Sequence, residues 1–245
     1  MEAEQRFKSA LHKIRELKIG GGFHTKREER AFWTLAKQAV EGVVVEIGSF
    51  EGYSTILLAE ATGGHRDIFA IDPHTGRLSE SDEGASPFTG DSWLRFKDNI
   101  RLAGVEEKIK PLKMKSEDAA KNWHHGRTIG LLYIDGSHRY EDVKKDIVSW
   151  KPYLCPGAKV LFHDLWKSGV RRAIIEHILS DKAFGQFHYA PYSLFVTTYS
   201  GDRYHPQFIQ RNFWKVVLGL MGALDRAPGL KRFILNRLLV ISKRL

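Results

Sequence analysis

A single cysteine, Cys155, stands in the 245 residues. That excludes an internal disulfide framework and a cysteine-rich zinc site. Long apolar runs are missing too. The longest in the C-terminal part, residues 216–224, has nine residues, against the roughly 20 that span a bilayer. The opening stretch MEAEQRFKSALHKIRELK is charged throughout, without an apolar core of the signal-peptide kind. These absences lead to the expectation of a cytoplasmic protein. Acids are scarce only at the other end. From Gln207 onward eight Lys and Arg face one acid, Asp225, so most of the formal charge of +9 belongs to this tail. The rest is nearly balanced, and nucleic acid is not an expected partner.

What is present is a repeated alternation of short apolar runs and amphipathic segments. Two helices are expected first, over 1–19 and 25–41, separated by GGGFH. Strands follow at 43–47, 68–71, 109–112, 129–134 and 159–162, with helices at 53–61, 93–103, 117–123, 140–153 and 170–179. Two last strands, 184–189 and 194–199, are split only by APYS. Strand–helix units in series imply a parallel sheet with helices on both faces. The last connection is too short for a crossover, so the closing pair is expected to be antiparallel. The reading is an α/β, Rossmann-like, mostly parallel seven-stranded sheet ending in an antiparallel hairpin. It divides the chain into N-terminal helices (1–41), a sheet domain (42–200) and a basic helical tail (201–245).

In open α/β sheets ligands bind beyond the carboxyl ends of the strands. The first strand ends in VVVEIGSFEGYS. Gly48 and Gly52 form G-x-x-x-G, which fits pyrophosphate binding poorly. Asp72, at the end of the second strand, can accept both hydroxyls of a ribose, because an ionised carboxylate offers two oxygens and no donor. Glu46 beside the glycine turn would repel phosphate and suits a cationic ligand. Alone, Glu46 would equally cap local backbone, and Asp72 would equally open the turn before Pro73. Together they describe S-adenosylmethionine, which has a ribose, an ammonium, a sulfonium and no phosphate.

A second group lies in LLYIDGSHRYEDVKKDIVSWKPYLCPGAKVLFHDLW, residues 131–166. Asp135, His138 and Asp164 follow neighbouring strands and are expected to converge. They could hold a divalent ion or act as acid and base. His138 would equally bond a neighbouring carbonyl at a helix start, and Asp164 would equally cap the next helix.

With VEIGSFEGYST, FAIDPH, LLYIDGSHRYEDVKKDI and PGAKVLFHD, residues 24–200 resemble class I S-adenosylmethionine-dependent methyltransferases. The branch is that of macrolide-sugar O-methyltransferases and cephalosporin-hydroxylase-like proteins. The resemblance implies that Glu46, Gly48, Ser49, Gly52 and Ser54 line the methionine part of the cofactor, with Asp135 nearby. Asp72 would take the ribose, and Ser116 and Glu117 would lie near the adenine. Asp135 and Asp164 would bind a magnesium-like ion, with His138 as base. His163 stands where metal-dependent relatives often carry an acid, which favours manganese over magnesium. The implied reaction is O-methylation of a sugar or other small hydroxyl compound. An RNA methyltransferase and a non-catalytic cofactor-binding protein are the competing readings.

The polar 73–91 loop is expected to close over the acceptor as a lid, and residues 20–33 to form another wall. Beyond 228, Phe233, Ile234, Leu238, Ile241 and Leu245 recur at helical spacing opposite basic residues. Such a segment could touch an anionic membrane surface, pack on the core, or join a homo-oligomer.

Overall fold

Seven strands form one sheet: β1 (Val43–Ile47), β2 (Ile68–Ile71), β3 (Ile109–Leu112), β4 (Ile129–Ile134), β5 (Leu154–Phe162), β6 (Phe184–Ala190) and β7 (Leu194–Tyr199). Their order across the sheet is β3-β2-β1-β4-β5-β7-β6. The first five are mutually parallel, and β7 runs antiparallel to both β5 and β6. The computed structural model describes residues 2–23, 25–75, 91–123, 126–190, 193–201 and 208–223. Most of the 73–91 loop, His124, His125 and the basic segment beyond 223 lie outside the described residues.

Among the described residues eight α-helices accompany the sheet: α1 (Glu2–Glu16), α2 (Lys26–Lys37), α3 (Tyr53–Ala61), α4 (Ser92–Leu102), α5 (Ser116–Lys121), α6 (Tyr140–Trp150), α7 (Ser168–Ala173) and α8 (Phe208–Ala223). Alternate strand residues feed two cores. Val44, Ile68, Leu131 and Leu161 pack with α1 to α4, whereas Val45, Phe69, Leu132 and Val160 pack with α5 to α8. Coverage of both faces explains why β1, β2 and β4 read as near-continuous apolar runs. The N-terminal helices belong to the first core, where Phe7, Leu11, Ile14, Phe32 and Trp33 are buried. Among the described residues no helix is long and apolar enough to cross a membrane.

Two elements differ from the sequence reading. β5 begins at Leu154, five residues early, because Leu154 already pairs with Ile129. The register then shifts before Leu131 meets Lys159, and Pro156 and Gly157 fall in that irregular stretch. The helix expected over 170–179 is α-helical only to Ala173 and continues as a π-helical turn, Ile174–Ile178. There the Leu179 amide donates to the Ile174 carbonyl, five residues back.

Candidate active site

The ladder of hydrogen bonds continues one residue past the carboxyl ends of the parallel strands. Gly48 N donates to Ile71 O, Asp135 N to Ile47 O and His163 N to Ile134 O, at 2.8, 2.8 and 3.0 Å. Asp72 N donates to Leu112 O at 3.2 Å. Register therefore brings Gly48, Asp72, Asp135 and His163 into one row at the edge of the sheet, with Asp164 and His138 just beyond it.

The glycine turn follows β1. Gly48 has φ +92°, and a Cβ there would stand 2.2 Å from the Asp135 carbonyl oxygen. This glycine lets the end of β1 close against the end of β4. Gly52, φ +94°, begins α3, and its missing Cβ faces Phe96 and Ile100 of α4. Between them Phe50 holds a left-handed φ of +43°, unfavourable for a bulky residue. Asp72 stabilises that conformation, since its Oδ2 accepts from Phe50 N at 2.9 Å and its Oδ1 from His74 N at 2.7 Å. A carboxylate has about four acceptor positions, so capacity for a ribose is left over. Ser49 is buried in the turn, and its Oγ has no hydrogen-bond partner among the described residues.

Glu46 points into the first core and is fully buried. Ser54 Oγ and Thr55 Oγ1, both on α3, donate to its two carboxylate oxygens. Burial pushes its pKa up to about 8, against the pull of these two hydroxyls, with Asp135 and Asp72 adding to the rise. The folded state thus holds a proton that the unfolded chain releases above its ordinary value of 4.5. The stability Glu46 contributes is complete below that value and is lost as pH climbs toward about 8. Glu46→Gln keeps the shape without the charge. Its thermal melts should match the wild type near pH 4.5 and gain an advantage on the order of 3–5 kcal/mol above pH 8. Parallel pH profiles for the two proteins would contradict this.

The second group gathers around the ends of β4 and β5. His138 Nε2 lies 2.9 Å from Asp164 Oδ2, and both side chains are about one-sixth exposed. His163 Nδ1 is 3.1 Å from Asp135 Oδ1 and 3.6 Å from Asp164 Oδ1. Burial opposes charge on His163, but the two carboxylates outweigh it and hold its pKa well above the ordinary value. Tyr133, fully buried, donates to Asp135 Oδ2 at 2.8 Å; burial and Asp135 raise its pKa well above normal. Asp164 itself has φ +53°, a conformation Asp and Asn tolerate better than other side chains. One donor atom from each of Asp135, His138 and Asp164 falls within 4.8 Å of the other two. His163 lies against both carboxylates, and no donor atom of it belongs to that group.

Some residues at the site were not legible in the sequence. Thr25-Lys-Arg-Glu28 reads as an ordinary capping box, and the Thr25 hydroxyl does accept from Glu28 N at 3.2 Å. The Glu28 carboxylate, however, is fully buried at the site. It accepts from Ser193 Oγ, and its Oε1 lies 3.7 Å from His163 Nε2. Phe23 packs its ring 5.4 Å from the His163 ring and 6.0 Å from Tyr53. The GGG segment before it is tied to the glycine turn by Gly20 N donating to Glu51 Oε2 at 2.7 Å. The stretch 20–33 thus reaches the site through Phe23 and Glu28. Ser116 and Glu117, by contrast, turn their side chains to α6. Ser116 Oγ accepts from Trp150 Nε1 at 2.8 Å, and Glu117 faces Lys145 at 3.3 Å.

Residues 45–165, just under half of the chain, match a family described as a methyltransferase domain. An uncharacterized protein of Sinorhizobium fredii, y4gI, is 29% identical over 126 residues. The matched segment is 49% of this chain and spans only 13% of that relative's length. Solved structures share the fold at low identity. The O-methyltransferase from Bacillus cereus, in complex with S-adenosylhomocysteine, is 14% identical with a TM-score of 0.58, over 80% of this chain and 91% of its own. TomG of Streptomyces achromogenes, an O-methyltransferase of tomaymycin synthesis in complex with S-adenosylmethionine, is 18% identical at 0.57, over 80% and 90%. CalS11, a TDP-rhamnose 3'-O-methyltransferase of calicheamicin biosynthesis, is 18% identical at 0.52, over 80% and 94%. Family match, strand order and the row of residues past the sheet agree: residues 45–165 match the methyltransferase domain, and the chain has the fold of the O-methyltransferases described above.

Proposed function

We propose that the protein transfers the methyl group of S-adenosylmethionine to a hydroxyl of a sugar or another small molecule. The observation that carries this reading is the set of carboxyl groups past β2, β4 and β5, Asp72, Asp135 and Asp164, with the imidazole of His138 against Asp164. The acidic surroundings favour a ligand bearing a sulfonium and an ammonium. Ser49 Oγ, buried without a partner among the described residues, is a donor suited to a ligand in the turn. TomG and CalS11 supply the acceptor class by analogy of fold.

When bound, S-adenosylmethionine supplies a methyl carbon whose bond to sulfur breaks as the acceptor oxygen bonds to it, the electron pair staying on sulfur. The chain must orient the acceptor and receive its proton. His138, held by Asp164 at 2.9 Å from its Nε2, is the residue placed to take the hydroxyl proton. Asp164 then faces the imidazolium and stabilises it. Tyr133 and His163 fix the Asp135 carboxylate, and Phe23 helps keep water from the site.

A second use of the same residues follows from their convergence. Asp135, His138 and Asp164, two carboxylates and an imidazole, suit manganese better than magnesium. A divalent ion there would lower the pKa of a hydroxyl bound to it. Asp135 and Asp164 would be the acidic ligands, and His138 would be ligand rather than base.

The cofactor half of the proposal is tested by titrating S-adenosylhomocysteine calorimetrically. Binding is expected, and Asp72→Ala should weaken it by about tenfold or more, from loss of charge-assisted bonds to the ribose and of the support for Phe50. No binding by the wild type would refute the cofactor assignment. Release of S-adenosylhomocysteine across a panel of nucleotide sugars and small phenols then tests the acceptor class. Manganese titration decides between the two uses of His138.

A further inference from the structure

The second residue of α7, Gly169, lies against the backbone that carries His138. A Cβ on Gly169 would stand 2.2 Å from His138 O, 2.6 Å from Tyr140 N and 3.1 Å from the Arg139 carbonyl carbon. All three are main-chain atoms, so no side chain can swing aside to make room. The φ of Gly169 is not left-handed. What requires glycine here is the close approach of two chain segments, not a special backbone conformation.

The same helical segment grips both members of the His138–Asp164 pair. Arg171, 3% exposed, donates through Nη1 to the carbonyls of Leu165 and Trp166, the two residues that follow Asp164. Hydrogen bonds from a charged donor are roughly twice as strong as neutral ones, so this loop is held firmly. Beyond Ala173 the helix widens into the π turn Ile174–Ile178, a form frequent at functional sites. Glu176 in that turn accepts from Tyr140 Oη at 2.5 Å and from Arg172 Nε at 2.9 Å. Tyr140 opens α6, two residues after His138. Gly169 and Glu176 thus fix the His138 side, Arg171 fixes the Asp164 side, and the two side chains meet at 2.9 Å. We propose that Gly169, Arg171 and Glu176 are positioning residues through which α7 and its π turn set the His138 imidazole against Asp164, an inference that rests on the proposed use of this pair as base or metal site.

The placement is tested without any ligand, by nuclear magnetic resonance of the full chain carrying ¹⁵N-histidine. His138 signals are identified by their loss in His138→Gln. In Gly169→Ala they should shift, while those of His65, before β2 at the opposite edge of the sheet, stay in place. Tyr140→Phe removes only the surface bond to Glu176 and should fold normally, with a smaller shift of the same signals. A double-mutant cycle then separates positioning from general damage. With an acceptor from the panel, Gly169→Ala should lower kcat by about 10²-fold, as a displacement near 1 Å can, and leave KM within about threefold. In the His138→Gln background it should cost nothing further. Unchanged His138 signals in Gly169→Ala, or in Tyr140→Phe where the first does not fold, overturn the proposal. So does a loss of equal size in the His138→Gln background. Shifted signals support it even where His138→Gln turns over normally. That combination refutes a role for His138 in transfer and leaves its placement by α7 standing.

Discussion

Gly48→Ala should lower the melting temperature by roughly 10 °C and abolish binding of S-adenosylhomocysteine. Two costs coincide at this position. The backbone holds φ +92°, which an L side chain adopts only under strain. The added carbon would also stand 2.2 Å from the Asp135 carbonyl oxygen, 2.5 Å from its carbon and 2.7 Å from Gly136 Cα. All three are backbone atoms, and Asp135 is held in turn by the hydrogen bond that its backbone N–H donates to Ile47 O. Relief therefore requires the ends of β1 and β4 to separate, at about 3 kcal/mol or more. That same junction carries the glycine turn and Asp135, so the cofactor site is lost with it. Gly219→Ala on α8, where an added Cβ meets nothing within 4 Å, is the control and should be neutral or slightly stabilising. A Gly48→Ala protein that melts with the wild type and binds normally would show that the junction is not rigid.

The largest effect on turnover is expected from the imidazole–carboxylate pair. With an acceptor from the panel, His138→Gln should reduce kcat by roughly 10²–10⁴-fold. Binding of S-adenosylhomocysteine should persist, because His138 is not among the residues assigned to it. Asp164→Asn is the companion test. Its backbone sits at φ +53°, which Asn accepts almost as readily as Asp, so the change removes charge without disturbing the chain. It deprives His138 of the carboxylate that orients it at 2.9 Å and should also lower kcat steeply. If manganese binds and both variants lose it, His138 is a ligand. If no metal binds and both lose only turnover, it is the base. Turnover within about threefold of the wild type in both variants would sink either role.

Much of the architecture was legible because its signals are local. Apolar runs at 43–47, 68–71 and 129–134 are strands for the same reason that they are apolar, namely burial on both faces. The APYS connection between the last two strands is too short for any crossover, and β6 and β7 do pair antiparallel. At the site, Asp72, Asp135 and Asp164 could be picked out because each follows a strand, and parallel strands deliver their ends to one edge. The boundary of β5 was misplaced because Pro156 and Gly157 look like a break, whereas pairing of Leu154 with Ile129 across an irregular stretch extends the strand.

By itself the sequence determined the parallel sheet, its antiparallel close, the glycine turn and the acids at the strand ends, since these follow from periodicity and from where a strand stops. Only the tertiary structure decided who meets whom. Glu28 is a capping-box glutamate until α2 folds over β5 and β7 and buries its carboxylate beside His163 and Ser193. His163 is one more residue after a strand until its ring is seen against both Asp135 and Asp164, with His138 beside Asp164. On α8 packing buries Trp214, Val217 and Leu218 and leaves Ile209, Val216 and Leu220 in solvent. The reason is the same in each case: spacing along the chain fixes the direction of a side chain relative to its own element, whereas its partner is set by how elements distant in sequence pack together.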